Sequence, residues 1–163
     1  MSTDTQTTHH AMNGSQTMSS ASSAQLLLAE ARNAAYAEAA AGRISQGMTV
    51  LYEALLLEPM SYELLSDIAA LMLASGELEH AAAYARKAVG LMPHHGPSLY
   101  TLGFALAGLC ETALALQTLT RLTHEGSART SLLLDAPELM PLVYIEIDRL
   151  QRVQDAGAVN ETA

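Results

Sequence analysis

The side chains of this sequence that could carry chemistry are few and scattered. His94 and His95 are adjacent and could hold a metal or move a proton, but they sit between Met92-Pro93 and Gly96-Pro97, which reads as an exposed turn. His9 and His10 could also ligate a metal, yet they fall in a Ser- and Thr-rich stretch where neighbouring histidines are incidental. Glu77 and Glu79 could form a carboxylate pair for acid-base work. At the start of a helical run, however, acids serve the positive end of the helix dipole. His80 and His124 are isolated, and the single Cys110 provides neither a disulfide framework nor a thiolate metal site.

No phosphate-cradling glycine loop, nucleophile elbow, His-Glu-x-x-His or paired-cysteine motif is present. The sequence therefore predicts a non-enzymatic chain with no cofactor and no metal. The formal charge of −9, with only 8 Lys plus Arg, argues against nucleic acid and an anionic membrane surface as partners. Six acids and no Lys or Arg fall between Ile44 and Ala85, which suits either a basic partner or a solvated helical face. A lone cysteine and no visible export signal make the cytoplasm the expected location. The uncharged span Ala88–Cys110 is long enough to cross a membrane, but Pro93 to Pro97 cut it into two helices and a turn.

The elements that would position a site are helices. Half the residues are apolar, mostly Ala and Leu, and aromatics make up 4%, a balance that favours close-packed helices over sheet. Residues 1–23 contain eleven Ser or Thr and one charge, Asp4, and read as a disordered tail. From Ala24 on, helix-compatible runs alternate with breaks at Gly42-Arg43, Glu58-Pro59, Ser75-Gly76, Met92-Pro93 and Gly108–Cys110.

The breaks are periodic. Pro59 and Pro93 are 34 apart, as are Gly42 and Gly76, Ala54 and Ala88, and Leu57 and Leu91. This register resembles the tetratricopeptide repeat. The unit Tyr62–His95 fits best, with Leu65, Ile68, Ala69, Gly76, Ala81, Ala88 and Pro93 at the family's signature positions. The unit Leu28–Ser61 keeps Ala35, Gly42, Gly47, Ala54 and Pro59 but has Ala31 at a large position. The unit from Gly96 keeps Leu99, Leu102, Gly103 and Ala115, with Leu122 where a small residue is expected.

The resemblance implies an all-α fold: a right-handed superhelix of about three helix-turn-helix units over residues 24–126, followed by a C-terminal capping segment over 127–155 and a disordered tail over 156–163. In the last segment Asp135 and Glu138 look like a capping box, while Pro141 requires a helix start near Met140 or a kink. The second helix of the third unit is expected to stop at Gly126. Leu139, Val143, Ile147 and Leu150 form a stripe that would seal the last unit, and Leu142 and Ile145 widen it enough for a homodimer contact.

In this family the first helix of each pair lines a concave groove that holds a peptide. Carried over residue by residue, the groove would comprise Arg32, Asn33, Tyr36 and Ala39, then Ser66, Asp67, Ala70 and Leu73, then Tyr100, Thr101, Phe104 and Ala107. An apolar or amphipathic segment would be seated there by the aromatic and aliphatic members, with Arg32 and Asp67 setting its orientation. Relatives that clamp a heat-shock chaperone's terminal carboxylate use Lys, Asn and Arg at positions that here hold Arg32, Tyr36, Asp67, Pro97 and Thr101. One basic residue cannot form that clamp. The architecture and size are also similar to small cytoplasmic chaperones of type III secretion translocators. A regulatory or assembly subunit of a separately encoded enzyme or complex is the alternative.

Overall fold

The computed structural model describes residues 12–161 and contains no strand among them. Six helices form three antiparallel pairs: α1 Met12–Ala40 with α2 Ile44–Leu57, α3 Tyr62–Ser75 with α4 Leu78–Leu91, and α5 Gly96–Gly108 with α6 Thr112–Thr123. They stack into a right-handed superhelix. Two further helices follow, α7 Ser127–Asp135 and α8 Met140–Glu161, joined by a 3₁₀ turn at Pro137–Leu139. Helix α8 packs along α6, whereas α7 packs against α5.

The 34-residue period has a direct backbone cause. Gly42 (φ +80°), Gly76 (φ +81°) and Cys110 (φ +61°) all adopt the left-handed conformation that ends the first helix of a pair. Around Gly76 the Glu77 amide donates to the Met72 carbonyl at 2.9 Å, and around Cys110 the Glu111 amide donates to Leu106 at 2.9 Å. The third break thus reuses the device of the second with a cysteine in place of glycine. At the α3 start, Ser61 Oγ accepts the Leu64 amide at 3.3 Å.

Small residues allow the helices of a pair to approach closely. Ala35, Ala69, Ala81, Ala88 and Ala115 are fully buried. At Gly103 even a Cβ would lie 2.4 Å from Leu119 Cδ2, so α5 and α6 meet through glycine. Leu122, at the third unit's expected small position, is also fully buried, in a core shared with Leu132, Met140, Val143 and Leu150. The added helices supply the space that a larger residue fills there.

Several boundaries differ from those expected. Helix α1 begins at Met12, inside the expected 1–23 tail, because no proline separates that stretch from the helix it feeds; residues 1–11, with His9 and His10, lie outside the described residues. Helix α8 runs to Glu161, through most of the expected 156–163 tail, since only Gly157 opposes it and a helix tolerates one glycine at a cost of about 1 kcal/mol. Helix α6 ends at Thr123, and Gly126 instead precedes α7. The expected capping box is not formed: Asp135 closes α7 and accepts from Ser131 Oγ at 3.2 Å. The start at Met140 places Pro141 in the first turn, where its missing N–H costs nothing. Among the described residues, no helix is long and apolar enough to cross a membrane.

Candidate peptide-binding groove

The first helices α1, α3 and α5 lie side by side, and their concave face encloses a groove of about 960 Å³. From α1 it is lined by Arg32 and Tyr36; from α3 by Tyr62, Glu63, Ser66, Asp67, Ala70, Leu73 and Ala74; from α5 by Pro97, Tyr100 and Thr101. Met92, His94 and His95 complete it from the α4–α5 turn. The far wall is Ser127, Ser131 and Asp135 of α7 with Ala136, Glu138 and Leu139 of the following turn. Helix α7 is held there because the Gly96 amide donates to Ser131 Oγ at 2.9 Å and Gly96 lies against the Leu132 backbone, where a Cβ would be 2.3 Å from the Leu132 nitrogen.

Of the residues carried over from the repeat pattern, Arg32, Tyr36, Ser66, Asp67, Ala70, Leu73, Tyr100 and Thr101 line this groove. Asn33, Ala39, Phe104 and Ala107 do not. Asn33 is exposed beside the groove, and Ala39 is partly buried against the core. Ala107 is buried, and Phe104 is half-buried with its ring centre 4.4 Å from that of Tyr100 at a 32° tilt. Phe104 thus packs against the groove tyrosine without itself lining the cleft. The wall formed by α7 and the Pro137–Leu139 turn has no counterpart in the repeat pattern, so register alone could not place it.

Arg32 and Asp67 meet each other. Asp67, 4% exposed, pairs with Arg32 through Nε and also accepts Nη2 at 3.3 Å, while the Tyr36 hydroxyl donates to it at 2.7 Å. Burial pulls the Arg32 guanidinium down, and the bond to Asp67 more than offsets it, raising its pKa. Burial and then the Asp67 charge push the Tyr36 phenol well above its ordinary range. This triad ties α1 to α3. It pairs the one Lys or Arg that lines the groove among the described residues.

His95 is the more enclosed histidine of the pair. Its Nδ1 and Ser98 Oγ are 2.7 Å apart, its Nε2 is 4.0 Å from Asp135 Oδ2, and Tyr62 meets it edge-on at 4.9 Å between ring centres. Burial lowers the imidazole's pKa against the opposing pull of Asp135 and Glu63. With Ser98 fully buried, this Ser-His-Asp grouping offers no nucleophile to a substrate. Among the described residues, no group of three or more His, Cys, Asp or Glu is arranged to hold a metal ion.

A second depression, of about 830 Å³, lies between α2 and α4 on the opposite side, over the edge-on Tyr52–Tyr84 pair and beside the exposed Leu56 and Met60.

No protein-family model matches the chain and no curated protein matches it. Solved structures do. The TPR2B domain of yeast Sti1 in complex with pHsp70 aligns with a TM-score of 0.62 at 19% identity, over 76% of this chain and 98% of that one. The Sgt2 TPR domain of Aspergillus fumigatus aligns at 0.58 and 19%, over 76% and 80%. The TPR2AB domain of yeast Sti1 in complex with pHSP90 aligns at 0.62 and 16%, over 85% of this chain and 54% of that one. The chain therefore has the fold of tetratricopeptide domains.

Proposed function

We propose that this chain is a non-enzymatic holder of another polypeptide, one segment of which lies in the concave groove. The observation that carries this reading is the groove itself: a cleft of about 960 Å³ across three parallel helices, lined by Tyr36, Tyr62, Ala70, Leu73, Tyr100 and Leu139. Apolar and tyrosyl side chains on a rigid scaffold bind with little loss of entropy, which is how peptide grooves obtain affinity. The Sti1 domains similar in fold are in complexes with pHsp70 and pHSP90. A ligand anchored by its terminal carboxylate does not suit this groove, because Arg32 is engaged by Asp67 and, among the described residues, no other Lys or Arg lines it.

The size and architecture support a narrower version, a small cytoplasmic chaperone that holds a secreted translocator segment. The exposed Leu142, Tyr144 and Ile145 of α8 would serve a homodimer contact. The test is affinity capture from native cells with the wild type, with Leu73→Ala/Tyr100→Ala, and with the opposite-face control Leu56→Ala/Met60→Ala. A partner lost only from the groove variant supports the reading. A partner retained by the groove variant and lost from the control moves the binding face outward and makes this an assembly or regulatory subunit.

A further inference from the structure

Charge is distributed unevenly along the groove. Four carboxylates line it, Glu63, Asp67, Asp135 and Glu138, against Arg32 as the one Lys or Arg. Arg32 is consumed by Asp67. The other three carboxylates have no Lys or Arg partner among the described residues: Glu63 accepts from Ser61 Oγ at 3.0 Å, Asp135 accepts from Ser131 Oγ and lies 4.0 Å from His95 Nε2, and Glu138 forms no ion pair. Asp135 Oδ2 of α7 lies 4.0 Å from His95 Nε2, and His95 meets the ring of Tyr62, the neighbour of Glu63 in the first turn of α3, so Glu63 and Asp135 lie at the same end of the groove. Leu73 lies ten residues further along α3, about 15 Å away at the α-helical rise. The cleft therefore runs from an anionic end, closed by α7, to an apolar end.

We infer that the segment held in this groove is basic and amphipathic, with Lys or Arg placed between Glu63, Asp135 and Glu138, and an apolar side chain on Leu73 and Ala70. In an extended chain, about 15 Å corresponds to a spacing of four to five residues between the basic and the apolar anchor. The inference rests on the groove reading and adds the chemistry of its occupant. Charge complementarity carries it: cations in a half-enclosed cleft whose carboxylates have no Lys or Arg partner gain attraction and on-rate, while an acidic segment is repelled.

The experiment is selection of random 12-residue peptides displayed on phage against the full chain, against Glu63→Gln/Asp135→Asn/Glu138→Gln, and against Leu73→Ala/Tyr100→Ala, with circular dichroism to confirm that each variant is folded. The wild type is expected to enrich Lys or Arg four to five residues from Leu, Met or an aromatic residue. The triple variant should lose that enrichment and bind a selected peptide about tenfold more weakly at low salt. Neutral or acidic peptides that bind the wild type and are lost with Leu73→Ala/Tyr100→Ala would overturn the basic occupant while keeping the groove. Peptides indifferent to Leu73→Ala/Tyr100→Ala, or an empty selection, would overturn both.

Discussion

The Tyr36 hydroxyl on α1 donates to the buried Asp67 carboxylate on α3 across 2.7 Å, and Arg32, one turn before Tyr36, pairs with the same carboxylate. Two donors from one helix converge on one acceptor from another, so the first unit is joined to the second by a polar contact at the floor of the groove. Asp67→Ala should lower stability by about 1 to 3 kcal/mol, because it leaves both donors without their partner in a partly buried place. Chemical denaturation measures it. In a double-mutant cycle, Tyr36→Phe should cost less in the Asp67→Ala background than in the wild type.

Cys110 sits 34 residues after Gly76 with φ +61°, a conformation that glycine adopts freely and a side chain does not. Cys110→Gly should therefore raise stability by up to about 1 kcal/mol, the relief of left-handed strain being partly offset by a more flexible unfolded chain. Thermal unfolding under reducing conditions reads the change. A lower midpoint would show that the thiol contributes packing that outweighs the strain.

Gly103 and Gly96 are both close approaches, but their neighbours differ. A Cβ at Gly103 meets the flexible end of Leu119, whereas one at Gly96 meets the Leu132 backbone. Gly103→Ala should cost about 1 to 3 kcal/mol through repacking in place. Gly96→Ala should push α7 away from α5 as well, which hydrogen exchange would register as faster exchange over residues 127–135.

His95 should make stability depend on pH. Burial lowers its folded pKa below the ordinary 6.5, although Asp135, Glu63 and Asp67 draw it upward and Arg32 opposes them. The unfolded chain then binds a proton more readily than the folded one, so stability is full above the ordinary value and falls as pH drops through it toward the folded pKa. Urea midpoints measured across that range should decline with acidity. His95→Gln should flatten that part of the decline.

Much of the architecture was legible because it repeats. Gly42, Gly76, Pro59 and Pro93 mark helix ends by backbone chemistry, and buried alanines such as Ala81 and Ala88 mark close helix contacts by size. Cys110 belongs to the same series, 34 residues after Gly76 within the expected break at Gly108–Cys110, although a cysteine does not by type mark a left-handed helix end. The C-terminal part was legible in its apolar stripe and in the helix start at Met140 that Pro141 demands. Val143 and Leu150 are buried and Leu139 and Ile147 pack against the core, but the split into α7, a 3₁₀ turn and α8 was not apparent from Asp135 and Glu138, whose types also suit a capping box.

By itself the sequence determined the helices and their pairing, since these follow from local backbone preference and the spacing of small and large residues; the residues expected in the groove came from the resemblance to the repeat family. Tertiary structure alone decided that Asp67 takes up Arg32, that Phe104 packs on Tyr100 without lining the groove, and that α7 closes the anionic end. Those outcomes depend on how helices some thirty residues apart come to lie against one another, and periodicity along the chain carries no record of which side chains then face the same space.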